Sequence, residues 1–444
     1  MTSYVLDMND SELRIARVGA DLPEVVAQSS GFAIIDERTI RFGQPAMQQF
    51  RLHPRQVNNH YWNRMNTDPL AVRGPNTANH ADLIYRHFAE LVREAAIASD
   101  DDFIIATPGT TSNEQLGLLL GIATEAGVTV SGLVDAALAA SVVHPTAKRA
   151  VHVDVFLHRA VVTELTRGDG LGRARIDEIA ELGFANLSDA WVNVIADRFV
   201  RDARFDPLSI AAADQQLYNQ LHAWLADSAR PKEFTVDVDL RGSLRRADLG
   251  IDALISKVSQ RYRMLDRFTE GTVVLLSHRT ARLPGLAEHV ASNAARVVSL
   301  DRMDLFRGVA THQSVIRSDP AALRLITRLP VQGAPGQERE TPPPPTALRL
   351  PPERPTHVLL GSDAVAIGQS LTFGREAFPE LPVDFPRDSV QIVAGSSGVQ
   401  LRLAEGTAAL LDGDVAQNGT TIAKGAVLEV AGARFQLIRT RSGP

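Results

Sequence analysis

Apolar and polar positions divide the chain into a first part with strand and helix patterns and a second part with strand patterns alone. In the first part, short apolar runs predict strands at 4–6, 13–16, 103–106, 151–154, 160–165 and 272–276. Apolar residues at helical spacing predict helices at 81–98, 114–126, 187–201 and 211–226, the second of which is stopped by Gly127. This mixture predicts an α/β domain in which helices cover a partly parallel sheet.

The second part has short runs of alternating apolar and polar residues without helical spacing. The runs lie at 358–360, 370–373, 390–393, 399–403, 427–430 and 435–438, and Gly, Asp and Asn residues separate them. Strands this short with frequent turn residues are typical of an antiparallel β-sandwich, here of about 85 residues. The sequence therefore predicts a small all-β domain at 356–444.

A proline-rich segment separates the two parts. Nine of the 24 prolines lie between Pro330 and Pro355, including four in a row at 342–345. Because proline lacks a backbone donor and has a fixed φ, this segment is predicted to be an extended, semi-rigid linker. The predicted domains are therefore 1–329 and 356–444, joined by a linker at 330–355.

Composition narrows the classes of function. The 444 residues carry a net charge of −6, so nothing favours a nucleic-acid partner. The chain has no cysteine, which excludes disulfides, thiolate metal sites and cysteine nucleophiles, and only four of its 46 basic residues are lysines. No targeting signal or stretch long enough to span a membrane is visible, so we expect a cytoplasmic protein without membrane insertion.

Two aspartates, each ending a predicted strand and followed by a hairpin, resemble the phosphate loops of the actin and heat-shock chaperone ATPase superfamily. They are Asp7 in Val5-Leu6-Asp7-Met8-Asn9 and Asp154 in His152-Val153-Asp154-Val155-Phe156. In that fold, two similar halves clamp a nucleotide, and each half contributes a hairpin that begins with Asp. The resemblance therefore implies a two-lobed domain over 1–329.

Further motifs, in the same order as in that family, make the resemblance closest to the seventy-kilodalton heat-shock chaperones. These motifs lie at 42–46, 53–54, 61–62, 104–109, 125–128, 133–140, 274–285 and 308–310. Segment 133–140 resembles the family's connecting segment, with Asp135 where the family has Glu. If the family's chemistry is retained, the resemblance implies that Asp7, Asp135 and Asp154 bind the magnesium ion and water of Mg·ATP.

The chain departs from the family where the chemistry takes place. Phosphate loops use glycine because backbone N–H groups must approach the phosphate oxygens closely, yet Asn9 and Phe156 stand at glycine positions. Ser277 and His278 replace paired glycines in the adenosine loop, and no lysine lies near 61–63, where the family has its catalytic lysine. We therefore expect a pseudo-ATPase without a cofactor, in which the aspartates are turn residues.

The second part resembles a forkhead-associated domain. Leu371-Thr372-Phe373-Gly374-Arg375-Glu376 resembles the Gly-Arg signature that opens that domain, and Asn418-Gly419-Thr420 resembles part of its later half. The resemblance implies that Arg375 and a following serine grip phosphothreonine and that Asn418 orients the backbone of the ligand. Ser389 is the candidate serine, but strand alternation could equally put Ser389 at the family's histidine position and Pro386 at its serine position. Two alternatives stay open: a sandwich that keeps only the shape, and the β-sandwich substrate domain that follows the ATPase module in chaperones.

These observations favour a non-catalytic scaffold or adaptor whose partners are other proteins. If the second part binds phosphothreonine, one of these partners is a phosphothreonine protein. The linker would let the two domains engage separate partners. The alternatives are a divergent ATP-dependent chaperone-like ATPase and a phosphothreonine reader that acts through Arg375. The sequence does not decide the oligomeric state.

Overall fold

A computed structural model describes residues 2–19, 22–144, 147–227, 231–331, 355–360, 363–375, 377–378, 381, 385, 389–395, 398–404, 406–412 and 414–438. The chain divides into two compact units, Met1–Pro335 and Gly336–Pro444. The predicted proline-rich linker lies almost entirely outside the described residues. Within the described ranges, no helix is both long and apolar enough to cross a membrane.

The first unit mixes strands and helices, as the sequence predicts. Its strands are β1 (Ser3–Asp7), β2 (Leu13–Val18), β3 (Glu24–Ser29), β4 (Ala33–Ile35), β5 (Ile40–Phe42), β6 (Val57–Asn58), β7 (Pro69–Gly74), β8 (Thr77–Asn79), β9 (Asp102–Thr107), β10 (Val130–Asp135), β11 (Arg149–Val155), β12 (Ala160–Arg167), β13 (Gly170–Ile179), β14 (Glu233–Leu240), β15 (Ser243–Gly250), β16 (Val273–Leu276), β17 (Arg296–Ser299), β18 (Leu325–Ile326) and β19 (Arg328–Pro330). Its α-helices are α1 (Gly43–Met47), α2 (Tyr61–Arg64), α3 (His80–Glu94), α4 (Asn113–Glu125), α5 (Ala136–Ser141), α6 (Phe184–Ala203), α7 (Ala211–Ala226), α8 (Ile251–Tyr262), α9 (Asp266–Thr269), α10 (His278–Ala281), α11 (Leu286–Ala291), α12 (Asp304–Thr311) and α13 (Gln313–Ile316). Single 3₁₀ turns lie at Ala180–Leu182, Pro207–Ser209, Arg263–Leu265 and Pro320–Ala322.

The first six-stranded sheet joins an antiparallel meander to parallel strands, in the order β18-β10-β9-β1-β2-β3. β1 pairs antiparallel with β2, and β2 with β3, whereas β9 runs parallel to β1 and β10 parallel to β9. The register of the first hairpin places Asp7, the last residue of β1, directly opposite Arg14 of β2. The two side chains are therefore cross-strand neighbours.

The second six-stranded sheet has the order β17-β16-β11-β12-β13-β19 and repeats this arrangement. β11, β12 and β13 form an antiparallel meander, β16 runs parallel to β11, and β17 runs parallel to β16. The five strands β3-β2-β1-β9-β10 thus match β13-β12-β11-β16-β17 in order and in relative direction. We call the residues up to Asp135 the first half of the unit and the residues from Arg149 to Ser299 the second half. Each meander begins with a strand that carries an aspartate at or next to its end, Asp7 in β1 and Asp154 in β11.

Helices α5 and α12 pack together in a core that both sheets share. This core contains Val5 and Ile104 of the first sheet, Ala150 and Leu275 of the second, and Phe306 of α12, all fully buried. The contact between the two helices is so close that a Cβ on Gly308 of α12 would lie 1.9 Å from the carbonyl oxygen of Ala139 of α5. The crossing therefore requires glycine at this position.

The end of the first unit adds one short strand to each sheet. β18 pairs parallel with β10 in the first sheet, and after a single residue β19 pairs antiparallel with β13 in the second. The residue between them, Thr327, accepts a hydrogen bond from the backbone N–H of Arg173 at 2.9 Å. Six residues thus connect the edges of both sheets.

Local sequence signals explain where two predicted helices begin and end. α3 and α4 correspond to the helices predicted at 81–98 and 114–126. Each begins with a capping box, formed by Asn79 with Asp82 and by Ser112 with Gln115. Gly127 has a φ of +78° directly after α4, so the residue predicted to stop this helix has the left-handed conformation that favours glycine.

Strands alone are found in the described residues of the second unit, and the all-β prediction is confirmed to that extent. The strands are β20 (His357–Leu360), β21 (Asp363–Ala366), β22 (Ser370–Thr372), β23 (Val390–Gly395), β24 (Gly398–Leu403), β25 (Ala409–Leu411), β26 (Asp414–Val415), β27 (Thr421–Ile422), β28 (Val427–Val430) and β29 (Ala433–Ile438). They form one sheet in the order β21-β20-β29-β28-β25-β26 and another in the order β22-β23-β24-β27. Four phenylalanine rings in the core pack on one another: Phe373, Phe378, Phe385 and Phe435.

We predict that Gly308→Ala lowers the free energy of unfolding of the first unit by at least about 2 kcal/mol, because its methyl group would overlap the Ala139 carbonyl. Gly121 of α4 is the matched control. A Cβ there meets no atom within 4 Å, so Gly121→Ala should stabilise the unit by about 0.5 to 1 kcal/mol. Urea unfolding followed by tryptophan fluorescence measures both changes, since all three tryptophans lie in the first unit. Equal effects of the two substitutions would contradict the close helix contact.

Candidate functional site

The hairpins that follow β1 and β11 face each other, so the structure brings Asp7 and Asp154 into one region. Asn9, in the turn after β1, donates from its Nδ2 to Asp154 Oδ2 at 3.0 Å and to the Val155 carbonyl at 3.2 Å. Asp7 and Asp154 are 1% and 8% exposed, respectively. Two carboxylates buried this deeply require cationic partners.

The guanidinium of Arg279 lies between these carboxylates. Arg279 belongs to α10 in the second half of the unit, and its Nη2 contacts Asp7 Oδ2. Its Nη1 lies 3.5 Å from Asp154 Oδ2, and its Nε lies 3.4 Å from Oε2 of Glu12, in the turn between β1 and β2. One arginine therefore neutralises charge from three acidic side chains.

Arg14 of β2 is a second buried cation at the same place. Its Nη2 lies 2.8 Å from Asp7 Oδ2, its Nη1 donates to the Arg302 carbonyl at 2.6 Å, and its guanidinium lies 4.9 Å from the centre of the Phe306 ring. The ionic cluster thus consists of Asp7, Glu12, Arg14, Asp154 and Arg279. Sequence reasoning missed both arginines as site residues, although the hairpin that places Arg14 opposite Asp7 was a usable signal.

The cluster stabilises the charged form of two of its carboxylates, Asp7 and Glu12. Burial by itself would raise the pKa of Asp7, but the guanidiniums of Arg279 and Arg14 outweigh it and hold that pKa below its ordinary value. Burial acts in the same direction on Glu12, yet a hydrogen bond from His278 and the charge of Arg279 lower its pKa to about 2. The pKa of Arg279 is raised, because Asp7, Asp154 and Glu12 outweigh the effect of its burial.

Asp154 and its neighbour Val155 each form one further contact with residues at the start of α10. Ser277 caps this helix by accepting from the Thr280 N–H at 3.2 Å, and its Oγ also contacts Asp154 Oδ1. Thr280 Oγ1 accepts from the Val155 N–H at 2.9 Å. Ser277 and Thr280 thus connect β11 to α10.

The turn donors of the two hairpins are used within the protein. Asp10 Oδ1 accepts from the Leu157 N–H at 2.8 Å, and Asn9 Oδ1 accepts from the N–H and Oγ of Ser11 at 2.9 and 2.7 Å. Burial raises the pKa of Asp10, although the bond from Leu157 opposes this effect. The backbone N–H groups of Leu157 and Ser11 thus already donate to Asp10 and Asn9, so they are not free to donate to an anionic ligand.

The second hairpin also packs against the first half through its aromatic residues. The Phe156 side chain is buried, and it lines a small cavity together with Met8 and Pro108. The His158 ring stacks on His60 with centroids 3.6 Å apart, and His158 Nε2 lies 2.8 Å from the Asn59 carbonyl oxygen. The turn after β11 is therefore in direct contact with the first half.

The segment at 61–63 contributes to the core. Tyr61 Oη and Trp62 Nε1 lie 2.6 and 3.0 Å from His87 Nδ1, and His87 Nε2 lies 2.7 Å from Ser29 Oγ. Because an indole N–H is donor only, Nδ1 of His87 must accept, which makes the ring neutral with its proton on Nε2. Burial lowers the pKa of His87 to about 3, in agreement with this neutral form.

Asp135 forms a separate ion pair. Its Oδ2 lies 2.8 Å from Arg173 Nη1, and its Oδ1 accepts from the Leu138 N–H at 3.0 Å and so caps α5. Both carboxylate oxygens of Asp135 are therefore bonded to residues outside the ionic cluster. Among the described residues, no group of three His, Asp or Glu side chains is placed to hold a metal ion.

A cavity of about 520 Å³ opens beside the ionic cluster. Glu12, His278 and Arg279 line one side of it, and Phe184 and His222 line another. Burial lowers the pKa of His222 to about 4, and its ring stacks on Tyr218 with centroids 4.4 Å apart. The volume lies within the range of small-molecule sites.

The three candidate residues of the second unit differ in exposure. Arg375 is exposed shortly after β22, and Asn418 is exposed with its Oδ1 accepting from the Leu403 N–H at 3.1 Å. Ser389, at the start of β23, is only 6% exposed. Arg375 and Asn418 are thus accessible to a ligand, whereas Ser389 is largely covered.

Comparison with known proteins adds no assignment. No protein-family model matches the chain, and no curated protein matches it either. The functional conclusions therefore depend on the geometry described above.

We predict that Arg279→Met lowers the free energy of unfolding by about 3 to 5 kcal/mol at pH 8, because it leaves buried carboxylates without their shared cation. The loss should be smaller at pH 5. Removing the guanidinium takes away a charge that lowers the pKa of Asp7 and of Glu12, so burial raises both pKa values relative to the wild type even though Arg14 still pairs with Asp7. The folded variant therefore takes up protons at a higher pH than the folded wild type does, and the stability difference between the two becomes smaller as the pH falls.

Arg17→Met is the matched control for this prediction. Arg17 pairs with Glu24 on the surface, where both side chains are more than half exposed, so its loss should cost less than about 1 kcal/mol at either pH. Urea unfolding of both variants at the two pH values gives the comparison. A loss for Arg279→Met that matches the control would show that the cluster does not depend on this guanidinium.

Proposed function

We propose that the chain is a non-catalytic adaptor. Its first unit would be a degenerate domain of the actin and heat-shock chaperone type, and its second a forkhead-associated-like domain. The observation that carries this proposal is the Arg279 guanidinium between Asp7, Glu12 and Asp154. In that family the corresponding aspartates bind the nucleotide and its metal ion. Here Asp7 and Asp154 form ion pairs with an arginine of the same chain.

The repeated sheet order supports the proposed family. Two five-stranded arrangements with the same order and directions, β3-β2-β1-β9-β10 and β13-β12-β11-β16-β17, agree with a fold built from two similar halves. The first strand of each carries the aspartate, and the two hairpins face each other through the bond between Asn9 and Asp154. This is the arrangement that the phosphate-loop resemblance implies.

The residues do not fit Mg·ATP. A magnesium ion prefers several oxygen ligands at octahedral positions, yet oxygens of Asp7 and Asp154 already contact guanidinium groups. A phosphate would need free backbone donors, and the N–H of Leu157 is bonded to the Asp10 carboxylate. The alternative of an ATPase with Asp7, Asp135 and Asp154 around magnesium is therefore disfavoured.

Packing between the two halves favours a binding role over a catalytic cycle. The Phe50 ring meets Tyr218 edge-on with centroids 4.6 Å apart. Arg51 lies over both rings, contacts Asp189, and has its Nε 3.5 Å from Asp214 Oδ2. Nucleotide-driven opening would have to break this contact, and it would have to break the His60–His158 stack as well. A domain held together by these contacts would present a constant surface to protein partners.

We expect Mg·ATP neither to bind the purified chain nor to be hydrolysed by it. Thermal unfolding with about 1 mM Mg·ATP should show no rise in Tm, whereas a ligand present at 100 times its Kd stabilises a protein by about 2.7 kcal/mol. Calorimetric titration and a phosphate-release assay complete the test. Micromolar binding that is abolished in a folded Asp7→Ala variant would overturn the proposal in favour of the ATPase.

A phosphothreonine reader is the second candidate function, and the exposure of Arg375 and Asn418 favours it. An exposed guanidinium can donate charge-assisted hydrogen bonds to a phosphate dianion. The burial of Ser389 weighs against a complete phosphate grip.

If the second unit reads phosphothreonine, a phosphothreonine peptide library should yield ligands that Arg375→Gln binds at least about tenfold more weakly, because the charge-assisted hydrogen bonds are lost. Arg434→Gln is the control, since Arg434 is an exposed arginine of the same unit and pairs with Glu429. Fluorescence anisotropy with the selected peptide and its unphosphorylated form measures both variants. Absence of any phosphate-dependent ligand would leave a sandwich that keeps only the shape.

A further inference from the structure

A second concave surface lies in the first unit, formed by residues other than those of the ionic cluster. The α3 groove is an open cavity of about 450 Å³ lined by Ile40, Phe42, Tyr85, Arg86, Glu90 and Arg93, among others. One wall is strand β5 and the other is the outer face of α3. Its volume lies within the range of ligand sites.

The floor of the α3 groove is apolar and well supported. Phe42 is only 7% exposed, and its ring stacks on His87 with centroids 4.7 Å apart and an interplanar angle of 2°. Ile40 and Tyr85 are partly exposed beside it. Since His87 is itself held by Tyr61 and other bonded neighbours, the floor is preformed and need not be ordered by a ligand.

Two arginines face the groove without a partner among the described residues. Arg86 and Arg93 are seven residues apart on α3, which places them about 10.5 Å apart along the helix axis and on the same face. Neither forms an ion pair or a side-chain hydrogen bond with a described residue. Arg41, next to the groove residues Ile40 and Phe42, instead donates to Gln49 Oε1 at 2.6 Å.

Glu90 lies between the two arginines and sets the charge of the groove. Its spacing from Arg86 and from Arg93 is one at which ion pairs commonly form on helices, yet no such pair is present within the described residues. The groove therefore has two open cationic groups and one acidic group, for a net charge of +1. The whole chain carries −6, so attraction of an acidic ligand has to come from this local charge.

We propose that the α3 groove binds an acidic segment of a partner protein, with carboxylates on both sides of a large apolar side chain. The apolar side chain would lie on Phe42 and Tyr85, and the carboxylates would bind Arg86 and Arg93 as charge-assisted pairs. Arginine and aromatic side chains are the groups that most often dominate protein interfaces. The proposal rests on the adaptor function and names the chemistry of the partner.

Other anionic ligands fit the groove less well. A free phosphate would leave the apolar floor uncovered, and a bilayer surface cannot enter a concave site between a helix and a strand. A peptide segment satisfies both the apolar and the charged part of the surface, which is the recurring mode of groove recognition.

The test is selection from a displayed library of random peptides of about 12 residues on the full-length protein, with the Arg86→Glu/Arg93→Glu variant as the subtracted surface. Enriched peptides should carry at least two Asp or Glu residues flanking a large apolar residue. A synthetic enriched peptide should bind Arg86→Gln and Arg93→Gln roughly tenfold more weakly and Glu90→Gln more tightly, and all binding should weaken as salt rises.

Arg41→Gln is the matched control, because it removes the same charge beside the groove but not a guanidinium that faces it. Absence of enrichment over the double variant, or an equal loss of binding in Arg41→Gln, would overturn the proposal. Binding to phosphatidylserine vesicles without any peptide enrichment would overturn it in favour of a membrane surface. Mg·ATP binding is measured separately on the same samples, so failure of the adaptor function and failure of the groove proposal give different results.

Discussion

The first unit depends on one electrostatic constraint, the need to neutralise carboxylates that the fold buries where its two hairpins meet. Asp7 and Asp154 come from equivalent strands of the two sheets, and Glu12 comes from a turn beside them. A bound metal ion could also meet this need, but a metal ion can dissociate, whereas Arg279 is covalently part of the chain. The cation is therefore present whenever these carboxylates are buried.

Part of this site could be predicted from local patterns. A short apolar strand that ends in aspartate and continues into a hairpin occurs twice in the sequence, and the structure brings Asp7 and Asp154 together at the ends of such strands. The mixed α/β first part and the all-β last part follow from hydrophobic periodicity. The end of α4 follows from one residue, because Gly127 readily takes the positive φ that stops a helix. These features are encoded over a few neighbouring residues.

The rest depends on contacts between residues far apart in the chain. Arg279 follows Asp7 by more than 270 residues, and nothing near it in the sequence indicates that it enters the site. Asp135 has the sequence context of a third ligand, yet Arg173, on a strand that the pattern did not predict, takes its carboxylate. Tertiary neighbours decide these two features. The hairpin of β14 and β15 was also not predicted, although β14 alternates apolar and polar residues and Arg241 and Gly242, both with positive φ, form a two-residue turn before β15.

The segment that contains β18 and β19 has a consequence for how the protein is made. Its six residues supply the last strand of one sheet and, after a single residue, the last strand of the other. The first sheet therefore cannot be completed before residue 326 has left the ribosome, and the second cannot be completed before residue 330. Both sheets therefore need the same stretch of nascent chain, residues 325–330, for their last strands. Premature termination upstream would leave the longer strands β10 and β13 at the sheet edges in place of the short strands β18 and β19, and long unpaired edges favour aggregation.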